Sequence, residues 1–345
     1  MNNQFKEYFL SDNPVYRISL CCMFHDSKLK AKANIGTCTK TTALSNPKKA
    51  TDKAISNCHQ LISFLNIIKT FPENLRSFRI SSTMFPCFTL PEINIYYNED
   101  VMNTISELLG KAGEIAMSNK IRLSMHPDQF CVIGSNRSDV VANSIREFDY
   151  HALIGSLLKI PPEMFSINVH LQGRYGASST KPGIDRFSEN YKYLNDYSQK
   201  AMSVENEDKP NGYDIVDTLE LSTKIPIRCT LDIHHYECYR KKQGDYITHT
   251  HEYFKEAVKT WKGYRPLFHV SHTKLDENGN DINRMNQHSN YLHDRDRLSN
   301  LVPMLQYADF DIEAKYKELA VQDAYKYIKE EEDMIGEPIS IINPV

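Results

Sequence analysis

CTLDIHH (residues 229–235) carries in one short segment the pattern that decides the fold: a β-rich run whose end presents metal-competent side chains, here Asp232 and His235. Further runs repeat it: RLSMH (122–126) ends on His126, INVH (167–170) on His170 and MSVE (202–205) on Glu205, while LFHVSH (267–272) carries His269 and FDIE (310–313) ends on Glu313. Each run has the length of a strand and is followed by a turn or helix signal. A parallel sheet would therefore present all of these termini on one rim.

Outward from these runs, short β-rich stretches alternate with longer helical patterns. YRISL (16–20) precedes a basic segment and a helix expected over about 51–69, and SFRISS (77–82) precedes a helix over about 100–118. Ser138 or Asp139 is expected to cap a helix running to about Leu158. The glycine-rich loop LQGRYGASSTKPG (171–183) leads to a helix over about 185–199, and a helix over 214–221 precedes the strand IRCTLD (227–232). Helices near 253–261 and near Arg297 flank LFHVS and the polar loop after it, and FDIEAK is the eighth run. Eight strand–helix alternations favour a closed (β/α)8 TIM barrel over an open doubly wound sheet. In such a barrel the reactive side chains sit at the carboxyl ends of the strands, so the separate motifs become one metal site. A lone histidine at a strand end is usually hydrogen-bonded packing; so many coincident cases are not explained that way.

The 345 residues fit one barrel domain (1–345, core about 15–330). With 41% apolar and 25% charged residues and a single tryptophan, the composition is that of an ordinary globular protein. No run approaches the roughly 20 apolar residues that span a bilayer, so no membrane association is expected. The amino terminus MNNQFKEYF lacks the basic lead and apolar core of a secretory signal, which predicts an intracellular protein. The eight cysteines are scattered with no CxxC, which suggests neither a disulfide framework nor a zinc ribbon and points to a reducing compartment. A net charge of −3 gives no global attraction to nucleic acid, so any such contact needs a local patch or bound cations. Lysines 28, 30, 32, 40, 48, 49 and 53 make the segment 28–53 a basic loop that is either solvated or such a patch.

Imidazole and carboxylate together suit Zn²⁺ or Mn²⁺ better than Mg²⁺ or Ca²⁺, which favour all-oxygen sites. Within VENED, Glu205 is the expected ligand, with Glu207 and Asp208 read as solvated or capping charges. In HSNYLHD, His288 is a candidate loop ligand and His293 is expected to face solvent. His234 is placed behind the ligands or on the surface, His151 is read as helix packing, and His25, His59, His249, His251 and His272 receive no role.

RISSTMFP, RLSMHPDQF, the stretch from SNRSDVV to EFDYHA, INVHLQGRYG, RFSENY, SVENED, TLDIHH, HSNYLHD and DIEAKYKE follow one another in an order that resembles the UV damage endonucleases, metal-dependent TIM-barrel repair nucleases. The resemblance runs over about 15–325 and is specific through its joint spacing. It implies two or three divalent metals, manganese first and Zn²⁺ or Mg²⁺ as alternatives, held by His126, His170, Glu205, Asp232, His235, His269, His288 and Glu313. Glu205, Asp232 and Glu313 are the expected catalytic carboxylates. The resemblance further implies that Gln129 and Phe130 probe the damage, the aromatic filling the gap left by a lesion and the amide bonding the orphaned bases. Arg174, Tyr175 and Lys181 are candidate DNA contacts.

The chain also departs from the family pattern. Leu267 stands where the family carries a lysine that can bridge metals once carboxylated, FPCFTLPE lacks the histidine expected after the RISS segment, and Asp128 replaces a common glycine. What the resemblance implies is incision of damaged double-stranded DNA on the 5′ side of a UV photoproduct by attack of metal-activated water on a phosphodiester. No obligate protein partner is inferred. Competing readings are an apurinic endonuclease, a metal-dependent sugar isomerase, and a damage-binding protein that does not incise.

Overall fold

Parallel strands covered on both faces ordinarily read as continuous apolar runs, and those of this chain do not. In the computed structural model, which describes residues 15–240, 246–279, 285–335 and 339, the strands are β1 (Ile18–Cys21), β2 (Ser77–Ile80), β3 (Arg122–Met125), β4 (Ser166–His170), β5 (Met202–Glu205), β6 (Arg228–Thr230), β7 (Leu267–Val270) and β8 (Asp309–Ile312). Nearly all of their residues are buried. Alternate positions such as Ile18, Leu20, Phe78, Ile80, Leu123, Ile167, Val169, Val204, Phe268 and Phe310 pack in the apolar core. Most of the intervening positions are polar, with Leu267 and Cys21 as exceptions, and several bond to one another across the strands. Ser203 Oγ lies 3.1 Å from Ser166 Oγ, donates to Asn168 Oδ1 at 3.0 Å and accepts from Thr230 Oγ1 at 2.9 Å, while Ser19 pairs with Ser77. These pairings offset the cost of burying the hydroxyls that make them.

Neighbouring strands run parallel in the order β6-β5-β4-β3-β2-β1-β8-β7. Closure between β6 and β7 comes from a parallel bridge between Asp232 and His269, with the His269 N–H donating to Leu231 O at 3.0 Å. The helices that follow the strands are α1 (Pro47–Ile68), α2 (Glu99–Ser118), α3 (Ser138–Leu157), α4 (Lys181–Tyr191), α5 (Ile215–Lys224), α6 (Glu252–Lys259), α7 (Arg295–Met304) and α8 (Glu318–Ile335). The fold is the expected (β/α)8 TIM barrel. At the amino-terminal rim, Asp309 accepts from Arg122 at 2.7 Å, from Arg265 at 2.6 Å and from the backbone N–H of Arg17 at 2.8 Å. Trp261 lies against this rim beneath Arg228 and donates to Cys229 O at 2.9 Å.

Several local expectations are corrected. The segment 28–53 is not an open loop: it contains the helices Ser27–Lys32 and Lys40–Ser45 and the start of α1. Asp26 caps the first by accepting from Lys28 N and Leu29 N, and Thr39 caps the second. Two of its lysines are paired, Lys48 with Asp52 at 2.6 Å and Lys40 with Glu92 at 3.1 Å. The helix expected over 185–199 is two, α4 and Asp196–Ala201, because the Asn195 side chain accepts from Ser198 N at 2.8 Å and starts a new helix. Neither Ser138 nor Asp139 caps α3; Arg137 holds that position without a side-chain bond, and Ser135 Oγ accepts the Arg137 N–H at 3.1 Å. Regular strand structure at 227–232 is confined to Arg228–Thr230, since Ile233 opens a helix.

Candidate metal centre

The carboxyl rim receives its side chains from every strand between β3 and β8. Glu205 ends β5, His170 ends β4, His126 directly follows β3 and Glu313 directly follows β8. His269 is the third residue of β7, while Asp232 and His235 sit at the turn from β6 into the helix Ile233–Arg240. That turn explains the spacing of the TLDIHH motif: Asp232 Oδ1 accepts the His235 N–H at 2.8 Å, which brings both side chains to the same side of the strand end.

Glu205 is the hub. Its Oε1 lies 3.1 Å from His235 Nδ1 and 3.2 Å from His269 Nδ1, and its Oε2 lies 3.2 Å from His126 Nε2 and is bonded by Asn168. His269 Nδ1 is also 3.3 Å from Glu313 Oε1, and Asp232 Oδ2 is 3.7 Å from His235 Nδ1. Two triads, His126–His170–Glu205 and Glu205–Asp232–His235, each bring their ligand atoms within 4.8 Å of one another. Glu205 belongs to both, and a carboxylate with two oxygens can serve two cations. His288 is peripheral: its Nδ1 lies 2.8 Å from the Glu313 carbonyl and 3.7 Å from Glu313 Oε2.

Burial opposes charge here, and the neighbours decide the outcome. Burial would raise the Glu205 carboxyl, but His269, His170 and hydrogen bonds from His126 and His235 hold it well below its usual range. Glu313 is likewise held down against burial by Arg79 and His269. Burial, with Glu205 and Glu313 nearby, lifts Asp232 to about 6. Burial pushes His170 down to about 4. His269 is raised to about 9 by Glu205 and Glu313 despite its burial. Buried carboxylates and imidazoles converging in this way suit a divalent metal, which would displace the protons that the carboxylates hold on His235 and His269. His170 Nδ1 and Asp232 Oδ2, buried with no hydrogen-bond partner, are the atoms such an ion would satisfy.

Gln129 and Phe130 are exposed in the loop after β3, Phe130 by 79%. Tyr175 is exposed with its hydroxyl 2.7 Å from Ser135 Oγ. Lys181 is exposed and pairs with Asp185 at 2.9 Å. Arg174 is half-buried, its guanidinium donating to Ala177 O at 3.2 Å and Gly212 O at 3.1 Å, which ties two rim loops together. His151 is fully buried in α3 and His293 is exposed. Glu207 is not a solvated charge: its Oε2 accepts the Tyr213 N–H at 2.9 Å, and burial raises its carboxyl to about 7.

The family model UV-endonuclease UvdE matches residues 18–339, nearly the whole barrel. The chain belongs to the UvdE family. The UV-damage endonuclease of Neurospora crassa is 29% identical over 264 residues, covering 74% of this chain and 38% of that protein. The UV DNA damage endonuclease of Bacillus cereus strain B4264 is 28% identical over 253 residues, covering 71% of this chain and 72% of its own length. Among solved structures, SacUVDE matches with a TM-score of 0.75 at 23% identity, over 94% of this chain and 100% of that one. Endonuclease IV from Thermus thermophilus shares the fold more loosely, with a TM-score of 0.51 at 12% identity over 91% of this chain and 99% of its own.

In this UvdE chain, Asn168, Arg79 and Asp311 also reach the site, and sequence reasoning did not single them out. Asn168 bonds Glu205, and Arg79 bonds Glu313 and lies 3.8 Å from Asp311. The available signal was strand periodicity, since Asn168 and Asp311 each stand two residues before a rim ligand on the same strand face.

Proposed function

We propose that this chain is a divalent-metal-dependent endonuclease that incises duplex DNA on the 5′ side of UV photoproducts and leaves a 3′ hydroxyl. The observation that carries the reading is the single buried carboxylate, Glu205, common to two ligand triads at the barrel mouth of a UvdE-family chain. His126, His170, Glu205, Asp232, His235, His269, His288 and Glu313 would hold two or three ions, with Mn²⁺ the first candidate. Such ions lower the pKa of an attacking water and stabilise the charge that builds on the phosphorane and leaving oxygens. Glu205 and Glu313 would hold the ions as carboxylates that their imidazole and guanidinium neighbours keep ionised, and Asp232, lifted to about 6, would give up its proton to the ion.

The loop after β3 would supply lesion selection. An aromatic as exposed as Phe130 is free to stack in the gap of an unstacked lesion, with the Gln129 amide beside it to bond the opposing bases. A lesion lowers the cost of unstacking, so deformability selects the site without base-specific readout. Tyr175, Lys181 and the loop that Arg174 braces would follow the backbone. The substrate would put this activity inside the cell, with the genome.

The test is a nicking assay with Mn²⁺ on a duplex carrying one defined photoproduct, beside undamaged and abasic duplexes. A cut 5′ to the photoproduct is expected, and its absence in protein that retains metal sinks the reading. Preferential cutting of the abasic duplex would place the chain with apurinic endonucleases instead. Glu205→Ala is expected to abolish incision while DNA binding falls much less.

A further inference from the structure

Asp311 is a buried carboxylate to which nothing above gives a task. It is the third residue of β8, register partner of His269 on β7, and 0% exposed. Neither of its oxygens has a hydrogen bond. An ionisable group in that state is costly unless something nearby needs it. Its nearest cationic groups are His269 Nε2 at 3.6 Å and Arg79 Nη1 at 3.8 Å, and the same Arg79 nitrogen is engaged by Glu313.

The His269 ring thus stands between two sets of carboxylates. Nδ1 faces Glu205 at 3.2 Å, Glu313 at 3.3 Å and Asp232 at 3.9 Å, and Nε2 faces Asp311. An imidazole has two nitrogens, and one that binds a metal keeps its proton on the other. That second N–H is almost always given to a carboxylate, a carbonyl or water, which fixes the tautomer and makes the ring a better donor. Asp311 is on the opposite side of the ring from the triads and beside the Arg79 cation, a poor position for a metal ligand and a suitable one for an acceptor.

We propose that Asp311 is a positioning residue of the metal centre: when the ion binds, the 3.6 Å gap to His269 closes and Asp311 accepts its Nε2–H, so that Nδ1 is the nitrogen offered to the ion. This rests on reading the cluster as a divalent-metal centre.

Calorimetric titration with Mn²⁺ of the wild-type chain, Asp311→Asn and Asp311→Leu tests it, together with ¹⁵N-histidine NMR of the Zn²⁺-loaded wild type, the His269 signals being assigned by their loss in His269→Gln. Asp311→Leu is expected to weaken Mn²⁺ binding by roughly 10- to 100-fold at unchanged stoichiometry. Asp311→Asn, which keeps an acceptor oxygen, should fall between it and the wild type. In the NMR spectrum Nδ1 should carry the metal shift and Nε2 the proton. Unchanged affinity in both variants overturns the proposal, as does the loss of one ion per chain, which would make Asp311 a ligand. Metal on Nε2 overturns it as well, and that measurement needs no variant of Asp311 to fold. A wild-type chain that binds no Mn²⁺ removes the metal reading itself, a failure distinct from these.

Discussion

His151 shows how one buried side chain that is not a candidate ligand sets a pH response. Its ring is fully buried in α3, with Nδ1 2.6 Å from the Glu147 carbonyl and Nε2 3.1 Å from Ser82 Oγ, and burial lowers its pKa to about 4. Above the unfolded value near 6.5, folded and unfolded states are both neutral and His151 contributes no pH dependence. Between about 6.5 and 4 the unfolded state takes up a proton that the folded state refuses, so stability falls as pH falls, by about 3 kcal/mol in all. Urea unfolding of the wild type and His151→Gln across pH 7 to 4 should show a gap that closes or reverses by this order; parallel curves would refute it. Phe130 makes the opposite kind of prediction, because nothing in the fold depends on an exposed ring. Phe130→Ala should leave thermal stability and Mn²⁺ affinity unchanged and reduce the preference for photoproduct over undamaged duplex by roughly ten- to hundredfold, the worth of one aromatic stack. Fluorescence anisotropy on the two duplexes measures it, and an unchanged preference would remove Phe130 from lesion recognition.

Strand β8 displays the division of labour within one element. Asp309, Asp311 and Glu313 share its inward face, and their environments differ by level. At the amino-terminal rim Asp309 is held by Arg122 and Arg265, and these cations keep its carboxyl below the usual range against burial. At the carboxyl rim Glu313 meets His269, His288 and Arg79. Asp309→Ala leaves buried guanidiniums without the carboxylate they share and should cost about 3–5 kcal/mol in urea unfolding, with Mn²⁺ affinity unaltered. A loss of metal binding in that variant would show that the two rims are coupled. The same strand marks what could be read in advance. The apolar alternation and the rim residues His126, His170, Glu205, Asp232 and Glu313 were legible because strand length and terminal chemistry are local properties. Periodicity marks the position of Asp311 but not its task, and it does not mark Arg79, since the significance of both arises from pairing β8 with β7 and β1 with both neighbours, contacts that no local window contains. The basic segment was misread for a related reason: caps at Asp26 and Thr39 turn it into short helices, and lysine content obscured the caps.

At the scale of the whole molecule, the candidate metal centre gathers side chains from strands β3 to β8 and so from most of the barrel wall. An unfolded chain cannot reproduce that arrangement, so an ion held there adds its binding free energy to folding, about 2.7 kcal/mol at a free concentration of 100 Kd. For a chain of this size each kcal/mol moves the midpoint by about 1–2 °C, which predicts a rise of about 4 °C for each Mn²⁺ ion bound and its reversal by EDTA. The variants sort by their place in the cluster. Glu205 is common to both triads, so Glu205→Ala should lose nearly all of the metal-dependent increment, whatever it does to the metal-free midpoint. His288 belongs to neither triad and meets the cluster through Glu313 and edge-on against the His235 ring, so His288→Ala should retain most of the increment. Differential scanning calorimetry with and without Mn²⁺ measures both. Equal losses in the two variants would mean that Glu205 is not the hub, and an increment that survives Glu205→Ala would place the ion elsewhere on the rim.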